Sequence, residues 1–407
     1  MHIFYIHQHF ALRSGSTGTR SYEFARRWVQ AGHTVTLITG NCDVAGLGDD
    51  RKLISRRIVD GINLVVVGAR YSNKQSYLQR LLSFFYFMLF SAYVGVRTKG
   101  ADVVYATSTP LTVGIPAILI KWLKGIPFLF EVRDQWPEVP IALGVIRNRF
   151  MKRVLLWLEK AIYRRSAAIV ALSPGMAEGV RGVIGGDKPI AVIPNSSDVD
   201  LFEQAGEDCR DVRDRYGWGS RLVIVHFGTM STANGLHFLV DAAKRCRDRS
   251  DLHFVLVGDG NKRAELEQRI ADARLDNIQV LDRMSKMQLV SFIRACDVAT
   301  VVFADYPILE HNSANKLFDS LSAGKPVLLN YSGWQRQVLE DARAGFGCLQ
   351  WDLDEYVQKV LWFADHRDEL EQMGRNAKQL AVDEFNRDKL ATQALDMVSR
   401  SAKPSGK

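Results

Sequence analysis

The sequence predicts an α/β protein with two Rossmann-like, parallel-sheet domains. Short apolar stretches alternate with helical stretches through the first half, and the same strand–helix alternation restarts in the second half. The length of 407 residues also exceeds what one ordinary core needs. Regular structure breaks at Pro194–Asp200, where we place the linker. We therefore expect a first domain at residues 1–195, a second at 196–380, and a C-terminal helix with a short tail at 381–407.

The chain opens with a strand, a loop, a helix and a second strand. His2–His7 is a short apolar strand, Ala11–Thr17 is the loop, and the helix that follows ends at Gly32. Gly15 and Gly18 allow a ligand to lie close to the backbone. Their spacing differs from the G-x-G-x-x-G dinucleotide fingerprint, which argues against a nicotinamide-dependent dehydrogenase. A tight connection that binds no ligand is the alternative interpretation.

Two stretches of the first half have the composition of membrane-contacting helices. Leu81–Val96 holds no charged residue, and as a helix it would be roughly 24 Å long, shorter than a hydrocarbon core of roughly 30 Å. It is either a buried helix or a helix that dips into a membrane surface. Arg147–Arg165 combines an apolar helical stripe with seven basic residues. Together with the formal net charge of +8, this favours contact with an anionic membrane surface over a merely solvated charged face.

Polar or glycine-rich segments follow several predicted strands. Because ligands bind at the carboxyl ends of strands in open parallel sheets, these segments are candidate site residues. Arg133 and Asp134 come directly after the strand Pro127–Val132, although an Arg–Asp pair that only supports a loop is an alternative. In the second half the candidates are Gly228, Thr229, Asn234, Gly258, Arg283 and Met284.

The most informative stretch is Tyr306–Leu329. Its apolar residues have helical spacing from Ser313 to Ala323, and Gly324 ends the predicted helix. The first turn of a helix carries free backbone N–H groups and about half a positive charge, which suit a diphosphate. The residues expected to provide this anion site are Ser313, Ala314, Asn315 and Lys316, and Asp319 is expected to accept hydrogen bonds from a ribose. A plain buried helix capped by Ser313 is the alternative.

This stretch resembles the signature segment of the retaining glycosyltransferases of family four, which have the GT-B fold. The family pattern has two acidic residues separated by seven others, followed by a small-Gly-x-Pro-Val run. Here these positions are His311 and Asp319, followed by Ala323–Val327, so the first acid is absent. The segment EVRDQWPE and the opening IHQHF also resemble the members that act on surface polysaccharides and O-antigen. The resemblance implies two domains facing each other across a cleft, with the C-terminal helix crossing back to the first.

The resemblance also implies a reaction: transfer of a hexosyl or N-acetylhexosaminyl-type sugar, with retention, from a nucleotide diphosphate sugar. Uridine is the favoured base, and a lipid-linked or saccharide acceptor is expected. Lys316 would stabilise the departing phosphate and His311 would contact the sugar or its phosphate. Arg133 and Asp134 would position the acceptor hydroxyl and the sugar. The implied donor-binding residues are Gly18, Gly228, Thr229, Asn234, Gly258, Arg283, Met284, Ser313, Ala314, Asn315 and Asp319.

Other features set further expectations. The two Asp-x-Asp runs, Asp198–Asp200 and Asp352–Asp354, do not follow a nucleotide-binding strand, so no metal is expected. No cofactor is expected beyond the nucleotide sugar, and no nucleic-acid partner. Five cysteines without a C-x-x-C pair and an N-terminus unlike a signal peptide predict a cytoplasmic protein at the inner face of the plasma membrane.

Two other functions remain open from the sequence. One is a non-catalytic subunit that binds nucleotide or membrane and supports a partner transferase, which the histidine at position 311 favours. The other is a nucleotide-sugar 2-epimerase, which would need no acceptor and has little use for membrane-facing helices.

Overall fold

The computed structural model describes residues 1–15, 18–42, 52–71, 77–204 and 208–403. Two of the predicted segments lie partly outside this range: the end of the loop Ala11–Thr17 and the end of the C-terminal tail. The chain forms two compact units, one of Met1–Pro194 together with the segment from Arg387 onward, the other of Asn195–Asn386.

The described part of the first unit contains an eight-stranded sheet with the order β3-β4-β2-β1-β5-β6-β7-β8. The pairs are parallel except for β3 and β4, which form an antiparallel hairpin. Its turn uses Asp60 and Gly61, whose φ angles are +48° and +81°. The strands are β1 (His2–Ile6), β2 (Thr34–Cys42), β3 (Ile54–Val59), β4 (Ile62–Tyr71), β5 (Val103–Thr107), β6 (Phe128–Val132), β7 (Ala168–Ala171) and β8 (Ile190–Val192).

Helices cover both faces of this sheet. They are α1 (Arg20–Gln30), α2 (Tyr77–Arg97), α3 (Gly114–Lys124), α4 (Glu138–Ala142), α5 (Arg149–Arg165) and α6 (Pro174–Ile184), with α16 (Arg387–Ser401) added from the end of the chain. Trp28 of α1 and Leu390 of α16 belong to the core on one face. Phe87 of α2, Ile118 of α3 and Ile162 of α5 belong to the core on the other.

The described part of the second unit contains a six-stranded parallel sheet with the order β11-β10-β9-β12-β13-β14. Its strands are β9 (Leu222–Phe227), β10 (Leu252–Val257), β11 (Ile278–Leu281), β12 (Val298–Val301), β13 (Val327–Leu329) and β14 (Gly345–Gly347). Its helices are α7 (Val199–Glu203), α8 (Cys209–Arg215), α9 (His237–Arg245), α10 (Arg263–Asp272), α11 (Lys286–Ala295), α12 (Asn315–Ser322), α13 (Trp334–Asp341), α14 (Leu353–Asp365) and α15 (Arg367–Asp383). This alternation is the one that the sequence predicted.

The segment predicted as a linker, Pro194–Asp200, is not an exposed connection. Asn195 and Ser197 are 3% and 1% exposed. The Asn195 N–H donates to the hydroxyl of Ser313 at 3.0 Å, and the Asn195 amide donates to the Ser313 carbonyl. The sequence suggested a linker because Pro, Asn, Ser and Asp break regular structure. The same side chains also satisfy buried backbone groups, and here they do so within the second unit.

Helix α2 is buried on one face only. Phe87 and Val94 lie in the core, and Gly95 packs so tightly that a Cβ there would lie 2.3 Å from Ile120. The opposite face is exposed although it is apolar: Leu82, Phe85, Leu89 and Tyr93 are 59%, 56%, 49% and 51% exposed. Neither a fully buried helix nor an ordinary amphipathic helix describes α2.

The carboxyl groups of half-buried Glu138 in α4 and buried Glu159 in α5 interact with each other. Glu159 is 3% exposed, and burial together with the charge of Glu138 raises its pKa from 4.5 to about 8. Because the folded state binds this proton more tightly than the unfolded state, the stability contributed by the neutral group is lost as pH rises from about 4.5 to about 8. We expect Glu159→Gln to be more stable than the wild type at pH 9, by roughly 2 kcal/mol.

At pH 4 the stability gain of Glu159→Gln should disappear, because the Glu159 side chain of the wild type is then neutral, like the glutamine of the variant. Thermal unfolding at the two pH values measures the difference, with Glu178→Gln on the exposed side of α6 as the control. Equal stability of Glu159→Gln and the wild type at pH 9 would contradict the assignment.

Candidate active site

The loops after β9, β10 and β11 lie against one another at the carboxyl edge of the second sheet. The Gly228 N–H donates to the Val257 carbonyl at 2.9 Å, and the Gly258 N–H donates to the Leu281 carbonyl at 3.0 Å. A Cβ at Gly258 would lie 1.9 Å from the Gly228 carbonyl oxygen. Glycine at position 258 is therefore required for this close approach of two backbones.

Lys316, at the start of α12, extends its ammonium group to this edge. Nζ donates to Nε2 of His226 at 3.2 Å and to Oδ1 of Asn234 at 3.3 Å. Asn234 in turn donates to the Thr229 carbonyl. A Cβ at Gly228 would lie 3.4 Å from the Lys316 Cε. The structure therefore brings together four of the predicted residues: Gly228, Thr229, Asn234 and Lys316.

His226 is a neutral acceptor for this lysine. It is 1% exposed, and its Nδ1 donates to the Thr300 carbonyl at 3.1 Å, so Nε2 carries the lone pair that faces Lys316. Burial, and then the charge of Lys316, lower the pKa of His226 well below its ordinary value. The imidazole therefore orients the ammonium without adding charge.

The ammonium of Lys316 is a cation without a negatively charged partner among these contacts. Burial lowers its pKa from 10.5 to about 7. An ammonium has three N–H donors, and one remains after the bonds to His226 and Asn234. A desolvated cation beside glycine loops and the amino end of a helix is suited to an anion, which would restore the pKa of the lysine as it binds.

Helix α12 begins two residues later than predicted. Ala314 is its N-cap and offers no side-chain oxygen, whereas the hydroxyl of Ser313 accepts a hydrogen bond from Asn195. Ser313 therefore does not cap the helix, so that part of the alternative interpretation is wrong. The amino end of α12 retains backbone donors of the kind predicted at Ala314 and Asn315.

The remaining predicted residues of the second unit include Asp319, Arg283, Met284 and His311. The Asp319 carboxylate is paired with the Lys286 ammonium and is 8% exposed, a partner that the sequence did not predict. Arg283 is exposed and Met284 half-buried after β11, and His311 ends a short 3-10 helix, Pro307–His311. Their roles toward a ribose, base or sugar stay predictions.

In the first unit, Arg133 and Asp134 follow β6 as predicted, but they are not paired with each other in these contacts. Nη1 of Arg133 donates to Nε2 of His7 at 3.0 Å, and the Thr109 hydroxyl donates to the Asp134 carboxylate at 2.9 Å. Burial, and then the charge of Arg133, lower the pKa of His7 well below its ordinary value. The ends of β1, β5 and β6 thus form one polar edge, with Arg133 held by a neutral histidine.

Gly18 is half-buried just before α1, and residues 16–17 beside it lie outside the described chain. Arg20, two residues later, lies in the first turn of α1, where a basic side chain could bind an anion. It does not face a ligand: it is 1% exposed and pairs with Glu131 of β6 at 2.9 Å. The positive charge of Arg20 therefore forms an ion pair that links α1 to β6 within the first unit.

Comparison with known families decides the class of protein. A family model described as "Glycosyl transferase 4-like domain" matches residues 15–196. A second, described as "Glycosyl transferases group 1", matches residues 210–380. The chain is a glycosyltransferase of the GT-B type.

Relatives of this glycosyltransferase are distant. A probable glycosyltransferase, WbjE of Pseudomonas aeruginosa, is 21% identical over 282 residues, which are 68% of this chain and 70% of the relative. The alpha-D-kanosaminyltransferase of Streptomyces kanamyceticus is 22% identical over 276 residues, 66% of this chain and 69% of the relative.

Two solved structures illustrate the fold of the glycosyltransferase. Sucrose-phosphate synthase from Thermosynechococcus elongatus is similar with a TM-score of 0.78 at 16% identity, covering 98% of each chain. HepE from Anabaena, solved in complex with UDP-glucose, has a TM-score of 0.72 at 19% identity, covering 98% of this chain and all of that one.

Sequence reasoning missed three polar partners in this glycosyltransferase: His226, His7 and Lys286. His226 is the polar residue near the end of the apolar strand LVIVHF, two residues before Gly228. His7 directly follows the apolar strand β1. A polar residue at the carboxyl end of a buried strand is a usable signal. Lys286 begins a helix and carries no comparable signal, because its partner Asp319 is distant in sequence.

Within the described residues, no cluster of three or more His, Cys, Asp or Glu side chains is arranged to hold a metal ion. The same part of the chain has no helix with the length and hydropathy needed to cross a bilayer.

Proposed function

We propose that this glycosyltransferase transfers a sugar, with retention of configuration, from a nucleotide diphosphate sugar to a lipid-linked or saccharide acceptor. Its place is the biosynthesis of a bacterial-type surface polysaccharide such as O-antigen, and uridine diphosphate is the proposed carrier. One observation carries the proposal: the uncompensated ammonium of Lys316 beside the Gly228 loop and the amino end of α12. HepE, with the same fold, was solved with UDP-glucose.

The proposed chemistry depends on charge at the leaving group. As the sugar–phosphate bond breaks, negative charge builds on the diphosphate, and fixed donors lower the barrier most when they are already oriented. Lys316 is oriented by His226 and Asn234 before any substrate arrives. The remaining N–H of its ammonium and the first-turn amides of α12 are proposed to bind the phosphate oxygens. No metal ion is assigned to this step.

In the first unit, Arg133 and Asp134 are the groups proposed to contact the acceptor and the sugar. Retention implies that the donor phosphate takes the acceptor proton, so no general-base carboxylate is assigned. The bond from Thr109 keeps the Asp134 carboxylate in place as an acceptor for a sugar hydroxyl. We propose that His311, in place of the family's first acid, contacts the sugar or its phosphate.

A panel of nucleotide sugars tests the proposal. Each is mixed with the protein, and thermal stabilisation identifies the donor that binds, because a specific ligand raises stability with the logarithm of its saturation. That donor is then incubated with lipid-linked and free saccharides, and product is analysed for linkage and anomeric configuration. Binding without hydrolysis or transfer to any acceptor would favour the non-catalytic subunit, and interconversion of the donor without acceptor would favour the epimerase.

We also propose that the first unit binds the inner face of the plasma membrane. Helix α3 contacts both α2 and α5. These three helices expose a set of large apolar side chains, which we call the apolar face: Leu82, Phe85, Leu89, Tyr93, Trp122, Leu123, Phe150, Val154 and Trp157. Helix α5 also carries basic side chains, including Lys152 and Arg153. Exposed apolar area together with basic side chains is the composition of a surface that contacts anionic lipid.

Charge reversal on α5 tests the membrane contact. We expect Lys152→Glu/Arg153→Glu to reduce co-sedimentation with anionic vesicles at least tenfold, since each basic residue near such a surface contributes about 1 kcal/mol. The control is Lys244→Glu/Arg247→Glu, which makes the same charge change on exposed residues of the second unit. Equal recovery of the wild type and the α5 variant in the supernatant would remove the membrane contact.

A further inference from the structure

A pocket lies in the first unit, away from Arg133 and Asp134, which follow β6. Its volume is about 440 Å³, within the roughly 300–1,000 Å³ usual for small-ligand pockets. It is lined by the end of α2 and by parts of β2, β3 and β4, among them Thr36, Arg56, Asn63, Arg97, Thr98 and Lys99. Thr36 and Asn63 stand near the beginnings of β2 and β4. The pocket is therefore at the amino edge of the sheet, whereas the candidate active site uses the carboxyl edge.

Strand register places the pocket on the face of the sheet that α2 covers. Thr36 pairs with Asn63, and two residues further along these strands Ile38 pairs with Val65, both in the core with Phe87 of α2. Since side chains alternate along a strand, Thr36 and Asn63 share that face. Arg56 lies opposite Val65 in the β3–β4 hairpin, so its side chain belongs to the same face.

The charge of the pocket is of one sign among the described residues that line it. Arg56, Arg97 and Lys99 are exposed cations, and none of the described lining residues is acidic. The carboxylate of Asp102, close by, already accepts the His2 N–H at 2.7 Å. The Thr98 hydroxyl already donates to the Val94 carbonyl at 2.9 Å, and the Thr36 hydroxyl is paired with Nε2 of His2 at 2.8 Å. The exposed Asn63 amide adds a neutral hydrogen-bond donor. Guanidinium groups, which can bind a phosphate through two parallel N–H donors, are a usual binding set for a phosphate group.

The pocket is continuous with the exposed part of α2. Leu82, Phe85, Leu89 and Tyr93 follow one another at helical spacing, and Arg97 is the next residue of this stripe. Its guanidinium lies over the Tyr93 ring, 4.8 Å from the centroid. The apolar stripe from Leu82 to Tyr93 is roughly 16 Å long, about the thickness of one leaflet's hydrocarbon. An apolar stripe that ends in a cationic pocket matches an acyl chain joined to a phosphate.

We propose that this pocket binds the phosphate of an anionic phospholipid, with Arg56, Arg97 and Lys99 as its charged ligands and the α2 stripe against the acyl chain. The phosphate site stands independently of glycosyl transfer, whereas its lipid source rests on the membrane contact proposed above. A soluble phosphate ester is the other source of the same chemistry, and the two are separated by experiment.

The first experiment measures the phosphate site alone. Binding of sn-glycerol 3-phosphate is measured by calorimetry in a Lys316→Ala background, so that the candidate donor site contributes little. We expect Arg56→Ala/Arg97→Ala to weaken binding about tenfold or more, and Lys244→Ala/Arg247→Ala, with the same loss of charge, to leave it unchanged. Arg97→Lys, which keeps the charge, should bind between the two. No difference between the double variant and its parent would overturn the phosphate site.

The second experiment identifies the source. Co-sedimentation with phosphatidylcholine vesicles containing phosphatidylglycerol is measured for the wild type, Arg56→Ala/Arg97→Ala and Phe85→Ala/Leu89→Ala. We expect both variants to lose vesicle binding, and the second to keep glycerol phosphate binding. If the arginine variant loses glycerol phosphate but binds vesicles like the wild type, the site takes a soluble phosphate and the lipid source is wrong. A wild type that binds no vesicles would overturn the lipid source and the membrane contact together, while the first experiment still decides the phosphate site.

Discussion

Replacing Lys316 with alanine is expected to lower turnover by about two to three orders of magnitude while the protein stays folded. A single oriented donor to charge that develops in the transition state typically contributes about 3–4 kcal/mol. Lys316 meets the conditions for such a donor, since His226 and Asn234 hold its ammonium and neither neutralises it. Its charged form is already disfavoured by burial, so removing it should leave the melting temperature close to that of the wild type.

The pH dependence separates a charge effect from a steric one. Because burial lowers the pKa of Lys316 to about 7, the free enzyme loses this charge as pH rises through 7. We expect kcat/KM of the wild type to fall over that range. His226 and His7, whose pKa values burial lowers well below the ordinary value, stay neutral throughout and do not contribute to the fall.

Lys316→Arg and Lys244→Ala serve as the comparisons for this prediction. Arginine keeps its charge at all these pH values, so a residual activity of Lys316→Arg should show no fall near pH 7. Lys244 is exposed on α9, and its removal should change neither rate nor profile. Near-normal turnover of Lys316→Ala, or a wild-type profile flat from pH 6 to pH 9, would refute the phosphate role.

Local patterns predicted most of the fold, because helix and strand periods are written in neighbouring residues. The strand–helix order of both units, the Asp60–Gly61 hairpin and the position of Lys316 at the start of a helix all follow from such patterns. Arg20 shows where this reasoning ends. A basic residue in the first turn of a helix is suited to bind an anion, but Arg20 instead pairs with Glu131, 111 residues away in the sequence. Ion pairs between residues so distant in sequence depend on which strands become neighbours in the sheet, and the local sequence pattern does not predict this.

The candidate site divides in the same way. Glycine loops and polar residues after strands were predictable, since parallel strands place their carboxyl ends at one edge. What each residue contacts was not: Asp319 has Lys286 as its partner, and the Ser313 hydroxyl is occupied by Asn195. The sequence also could not predict that one face of α2 is exposed. An all-apolar segment does not indicate which of its faces is covered by neighbouring elements.

The second large effect is expected on stability, from Glu131→Ala in β6. Glu131 and Arg20 are fully buried, and burial alone would raise the pKa of Glu131. The charges of Arg20 and Arg133, together with hydrogen bonds from Arg20 and Thr107, outweigh burial and lower this pKa. The Tyr105 and Thr107 hydroxyls donate to the carboxylate at 2.8 Å each. Removing the carboxylate leaves the Arg20 cation buried without its counter-charge, which typically costs roughly 3–5 kcal/mol.

Hydrogen exchange followed by mass spectrometry can measure this cost separately in the two units. Peptides of α1, β5 and β6 should lose protection in Glu131→Ala, whereas peptides of β9, β10 and α12 should exchange as in the wild type. The control is Glu371→Gln, which breaks an exposed ion pair with Arg375 and should change stability by less than about 1 kcal/mol. Arg20→Met/Glu131→Leu removes both charges and should recover much of the loss, since two apolar side chains leave no buried charge unpaired. If Glu131→Ala and the double variant are equally unstable, packing rather than the unpaired charge is the cause.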